Sequence, residues 1–161
     1  MIDEVCTVSG VMLNYAKKLM DGVAAESICT QPKPNMNHPA WILGHLAYTF
    51  DSGCKLLGQP PRLPAEWGDM FRPGTRPRGD VADYPSKEAL LAALESGCTR
   101  LIEAVKTVPR EVLDREFPME QFRHLMPTIG VAAVNLLTGH FGLHLGQLSA
   151  WRRASGMKGV M

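Results

Sequence analysis

The stretch Thr138-Gly-His-Phe-Gly-Leu-His-Leu-Gly-Gln-Leu148 sets two histidines, His140 and His144, one helical turn apart. Side chains at i and i+4 share one face of a helix, about 6 Å apart, so the two imidazoles can close on one metal ion. Steps of three and four extend the pattern to Ala133, Leu137, His140, His144, Gln147 and Trp151, the stripe of an inward-facing helix side. A third histidine, His45, stands in Trp41-Ile-Leu-Gly-His-Leu-Ala-Tyr48, where Trp41, His45, Tyr48 and Ser52 line up in the same way. Burying an unpaired polar ring costs on the order of 1–3 kcal/mol, and one shared metal would satisfy all three. Three protein ligands leave coordination positions open, the arrangement of catalytic rather than structural metal sites. The plainer alternative is three core histidines hydrogen-bonded to backbone or carboxylate.

Working outward, apolar spacing predicts four amphipathic helices. The first runs from Ile2 to Ala25, with Asp3 and Glu4 near its start and Lys17 and Lys18 further along, as the helix dipole favours. Asn37 and His38 then precede Pro39, a cap followed by proline in a first turn, and the second helix runs from Pro39 to Leu57. A long proline-, glycine- and arginine-rich connection follows from Gly58 to Pro85, with Trp67, Met70 and Phe71 embedded in it. Ser86 caps a third helix that ends before Pro109. After an irregular stretch through Pro118, Thr128 caps a fourth helix running to Ala154 and stopping at Gly156. The fold class is therefore all-α, a four-helix bundle with a long crossover connection, laid out as one domain over residues 1–161.

Gly139, Gly142 and Gly146 should each cost roughly 1 kcal/mol against alanine inside a helix. The expectation is a close neighbouring backbone or a bound ligand to offset them. His38 and His124 read as cap or surface residues. Asp51 and Cys54 fall on other sides of the second helix from His45 and are set aside as ligands.

The chain has 161 residues, 45% hydrophobic and 20% charged, with a formal net charge of +1. That balance excludes disorder and gives no nucleic-acid footprint. The short basic runs, Arg72 to Arg78 and Arg152-Arg153, read as solvated surface. No apolar run reaches the roughly 18–20 residues of a membrane span, and acidic Asp3 and Glu4 stand where a signal peptide would be basic. A cytoplasmic location without membrane contact is the expectation. Cys6, Cys29, Cys54 and Cys98 lack any CxxC spacing and read as buried thiols.

Trp41-Ile-Leu-Gly-His45-Leu-Ala, Tyr84-Pro-Ser-Lys-Glu88 opening a helix, and His140-Phe-Gly-Leu-His144-Leu-Gly-Gln147-Leu together resemble the DinB-like superfamily, which includes DinB/YfiT-type metal-dependent enzymes. The resemblance covers nearly the whole chain, and its most specific part is the terminal HxxxHxGQ with Trp151-Arg152-Arg153 and Gly156. It implies up-down-down-up connectivity, a divalent metal on His45, His140 and His144, and frequent dimerisation. It also implies thiol-dependent S-transferase or isomerase chemistry, established for some members only.

Imidazole ligands suit zinc or nickel, and also copper or iron. Such a metal would act as a Lewis acid on a bound water or thiol, which points to a thiol transferase or a hydrolase. There is no HExxH, and no carboxylate base adjoins the histidines, a slight preference for thiol activation. Gln147, Tyr48 and Trp41 share the metal-facing stripes and are candidate substrate-binding groups. Trp67 and Phe71 either roof the pocket or pin the crossover to the bundle. The partners expected are a second copy of the chain and a small-molecule thiol or other small substrate. The competing reading is a non-catalytic, dimeric helical binding or stress-response module with structural histidines.

Overall fold

In the computed structural model, which describes residues 2–160, the chain is helical throughout, with no strand among the described residues. The elements are α1 (Ile2–Met20), α2 (Pro39–Leu56), α3 (Trp67–Phe71), α4 (Lys87–Thr107), α5 (Arg110–Leu113), α6 (Ile129–Asn135) and α7 (Phe141–Ala154). A π-helical turn, Leu136–His140, joins α6 to α7, so the three form one continuous fourth helix. Local chemistry sets the ends. Ser86 Oγ accepts from the Ala89 amide and Thr128 Oγ1 from the Val131 amide, satisfying donors that a helix start leaves orphaned. Gly22, Gly58 and Gly156 carry positive φ after α1, α2 and α7, a backbone state that glycine adopts without steric cost. Gly22 thus stops α1 at Met20, short of the expected Ala25.

Contacts between helices give their directions. Along α1 and α7, Ser9 Oγ meets the Leu137 carbonyl, Gly142 faces Met12, and Tyr15 meets Ser149. Both numbers rise together, so α1 and the fourth helix are parallel. Gly97 lies against Phe50, Arg100 bonds Asp51 and Leu101 abuts Gly53, so α2 and α4 are parallel too. Lys17 pairs with Glu95 while Asp3 pairs with Lys106, so α1 and α4 are antiparallel. Gly53 meets Leu136 while Trp41 meets His144, so α2 and the fourth helix are antiparallel. The bundle is up-down-down-up.

Two parallel neighbours in sequence require a return connection, since the 18 residues of α2 carry the chain about 27 Å at 1.5 Å per residue. The crossover makes that return as a strap along α2. Asp51 takes the amides of Arg62 and Leu63, Tyr48 lies beside Gly68, His45 bonds the Phe71 carbonyl, Trp41 bonds Thr75, and His38 bonds the Arg78 carbonyl. With α4, the fourth helix and the strap around it, α2 is buried on nearly every side, which is why it reads as apolar all round. Leu43, Leu46, Phe50, Leu94, Leu101, Phe141, Leu148 and Trp151 fill the core between helices. All four cysteines are free and buried.

Several expectations are corrected here. Arg152 is not solvated: only 8% exposed, it donates to the carbonyls of Leu19, Asp21 and Lys158, fastening the end of α1 and the C-terminal tail to α7. Gly139, Gly142 and Gly146 do not meet a neighbouring backbone. A Cβ on Gly139 would touch the Asn135 side chain, one on Gly142 the tip of Met12, and one on Gly146 would meet nothing within 4 Å outside its own helix. The irregular stretch before Pro118 contains α5. Finally, Ile129–Ala154 is long and apolar enough, by length and composition, to cross a membrane. Its inward side carries His140, His144 and Gln147 and packs on α1 and α2, while Val131, Val134 and Leu143 face outward and exposed.

Candidate metal centre

Three imidazoles converge where α2 passes the junction of the π turn and α7. His45 and His144 are buried and His140 is half-buried. Their ring centroids lie 5.1 Å apart for His45–His140, 4.6 Å for His45–His144 and 4.5 Å for His140–His144. One ligand atom from each lies within 4.8 Å of the other two, a spread that modest ring rotation brings within reach of one ion.

The neighbours of each ring decide which nitrogen is free. The Phe71 carbonyl, 2.7 Å from His45 Nδ1, can only accept, so Nδ1 carries the proton and the Nε2 lone pair faces the cluster. His144 Nδ1–H donates to Gln147 Oε1 at 3.1 Å, and the same oxygen accepts from Asn37 Nδ2 at 3.1 Å. Hydrogen bonds of this kind fix the tautomer and orientation of metal-binding histidines. His140 differs: its Nε2 is buried with no hydrogen-bond partner, a state that costs about 1–3 kcal/mol if nothing fills it. A buried imidazole nitrogen without a hydrogen-bond partner, close to two other imidazoles, is what a cation would satisfy, so the residues present fit a metal.

The electrostatics agree. Burial, then the neighbouring His144 and His45, push the His140 pKa down to about 3. Burial and His45 push His144 down to about 4, against its hydrogen bond to Gln147. Burial also lowers His45. At neutral pH all three rings are uncharged, the form in which imidazole binds a metal.

The other candidates fall into place around this triad. Trp41 stacks on His45, with centroids 4.6 Å apart and planes 8° from parallel, while its Nε1–H donates to Thr75 Oγ1. Gln147 touches the triad directly. Tyr48 is half-buried and lies beside Gly68 on the strap. Trp67 is buried against Phe71, ring centroids 5.0 Å apart, and so pins the strap. His124 is exposed, and Asp51 and Cys54 lie away from the triad, as expected. Cavities of about 380 Å³ beside Trp151 and Ser155 and about 270 Å³ beside Asp51 and Arg100 are lined by none of the three histidines.

Gly44 and Thr75 are site-building residues that sequence reasoning missed, while Phe71, read as roof or pin, acts through its carbonyl, and Asn37, read as part of a cap, acts through Gln147. The Phe71 ring occupies the space a Cβ on Gly44 would need, and this contact seats the Phe71 carbonyl over His45. Gly44→Ala is therefore expected to lower unfolding free energy by about 1–3 kcal/mol, the usual cost of overpacking, and to weaken metal binding by displacing that carbonyl. Urea denaturation with metal titration checks both. An alanine variant as stable as the parent would show that Phe71 is free to move.

The family model of the DinB superfamily matches residues 12–148, a span that includes all three histidines and the strap. Comparison with curated proteins finds no match.

Proposed function

The chain belongs to the DinB superfamily, and on that footing we propose that it is a divalent-metal-dependent enzyme, with zinc or nickel on His45, His140 and His144 activating a thiol or a water. The observation that carries this reading is the buried, unpartnered His140 Nε2 beside two imidazoles whose outer nitrogens are already engaged. When bound, the cation supplies Lewis acidity that lowers the pKa of an oxygen or sulfur ligand toward neutrality.

The chain's own residues supply the rest. The hydrogen-bonding partners of the triad are a backbone carbonyl and a neutral amide, with no carboxylate bonded to any of the three rings among the described residues. The protein therefore leaves the charge of a divalent ion uncompensated, which favours an anionic fourth ligand such as thiolate or hydroxide. Trp41, stacked on His45, and Gln147, bonded to His144, are the side chains placed to contact a small substrate. A second copy of the chain belongs to the same proposal. Val8, Val11 and Leu143 on α1 and α7 are 46%, 64% and 61% exposed, an apolar surface of the kind that protein partners cover.

Native mass spectrometry of untagged protein reads both statements at once. The expected result is one divalent ion per chain in a dimer. Protein that stays metal-free after incubation with zinc and with nickel would overturn the enzyme reading.

A further inference from the structure

His38 is fully buried, and both of its ring nitrogens are engaged. Nδ1 accepts from the Trp41 amide at 3.2 Å, capping α2, while Nε2 lies 2.7 Å from the Arg78 carbonyl on the returning strap. An amide N–H can only donate and a carbonyl can only accept, so one state alone serves both ends: the neutral ring with its proton on Nε2. The same ring meets Tyr84 edge-on at 5.2 Å, and the Tyr84 hydroxyl accepts from the Arg78 amide. A single imidazole thus joins the start of the histidine-bearing helix to the far end of the strap.

We propose that His38 is a proton-sensitive cap, a positioning residue that holds the start of α2 when neutral and gives it up when protonated, while its Nε2–H bond to the Arg78 carbonyl on the strap persists. A proton on Nδ1 sets a donor against the Trp41 amide, so the cap is lost. It also places positive charge at a helix N-terminus, where the helix dipole opposes it. Trp41 is the residue stacked on His45, and the strap carries Thr75 and Phe71, which bond Trp41 and His45. Loss of the cap therefore loosens the first turn of α2, and with it the Trp41 side of the triad.

Arg78 and Tyr84 on the strap meet the His38 ring, and the carbonyls of Arg78, Ile28 and His38 itself lie against it; Cys29, Asp80 and Asp83 lie further out, around one another and Tyr84. Burial dominates and shifts His38 below its ordinary range. Its folded pKa being the lower one, its contribution to stability is complete above about 6.5, the ordinary histidine value, and is lost as pH falls through the folded pKa. This inference does not depend on a metal in the triad.

The test is an NMR titration of the native chain that follows the His38 ring nitrogens and amide-exchange protection factors together. The neutral ring should be the Nε2–H tautomer. Protection at the Trp41 amide should fall about tenfold in step with His38 protonation, a size in keeping with loss of a helix cap, while protection across residues 75–84 holds. In His38→Asn the shorter side chain keeps an acceptor for Trp41 but cannot reach Arg78 or titrate. Strap protection should then be low at neutral pH, and Trp41 protection flat with pH. Unchanged Trp41 protection through the His38 titration would overturn the proposal, as would a ring that stays neutral until the whole chain unfolds.

Discussion

Replacing Asp51 with alanine is expected to cost about 3–5 kcal/mol of unfolding free energy, the usual consequence of stripping one partner from a buried ion pair. The Asp51 carboxylate is 10% exposed and lies 2.7 Å from the Arg100 guanidinium, itself 15% exposed. It also accepts the amides of Arg62 and Leu63, while Arg100 donates a second time to the Pro60 carbonyl. Asp51→Ala therefore leaves a guanidinium without its counter-charge and frees two strap amides at the point where the crossover departs from α2. Two comparisons separate these effects. Asp51→Asn retains an acceptor for an amide and should lose less than alanine. The double replacement Asp51→Leu with Arg100→Met, which removes both charges, should recover much of the loss, because apolar pairs often substitute for buried ion pairs at little cost. Chemical denaturation of the three variants measures this directly. A loss below about 1 kcal/mol in Asp51→Ala would mean that water reaches Arg100 freely.

Such long-range fastenings were the part of the molecule hardest to read from residues alone. Ser86 and Thr128 were legible as helix caps because a cap is local: the side chain and the amide it accepts from are three positions apart. The triad was legible for a related reason, since i,i+4 spacing puts His140 and His144 on one stripe whatever the tertiary fold. The strap had no comparable signal. A backbone carbonyl such as that of Phe71 looks the same at every position in a sequence, yet it determines which nitrogen of His45 is free. His38 was legible as a cap, but its second bond goes to Arg78, forty positions away. Arg152 read as solvated because arginine usually is. Its burial depends on three carbonyls, from the end of α1 and from the tail, converging on one guanidinium. The π turn of the fourth helix also went unread. Gly44 was passed over and Gly146 overvalued: the first is pressed by an aromatic ring, whereas nothing in the structure explains the second.

His140→Ala should abolish metal uptake, lowering affinity by well over the 10–100-fold typical of changes to groups that merely orient a ligand. The change also separates the two readings of the triad, because metal-free protein responds with a different sign in each. If the histidines are structural, removing one should destabilise the metal-free chain. The geometry argues otherwise: His140 Nε2 has no partner to lose. Relief of that unpaired nitrogen, about 1–3 kcal/mol, offsets the packing lost with the ring, so metal-free stability at neutral pH should stay within about 1 kcal/mol of the parent. Acid adds a second signature. His140 and His144 are lowered to about 3 and about 4 in the folded chain, against about 6.5 when unfolded. Between those values the unfolded state binds protons that the folded state does not, so parent stability falls as pH drops from about 6.5 toward 3. With His140 gone, one of those protons no longer distinguishes the two states, and the acid loss should be shallower. Zinc or nickel at a hundredfold excess over its dissociation constant should stabilise the parent by about 2.7 kcal/mol and leave the variant unmoved. Thermal melts across pH, with and without metal, measure all three effects. A variant that is strongly destabilised without metal and still stabilised by it would place the metal elsewhere and return His140 to the core.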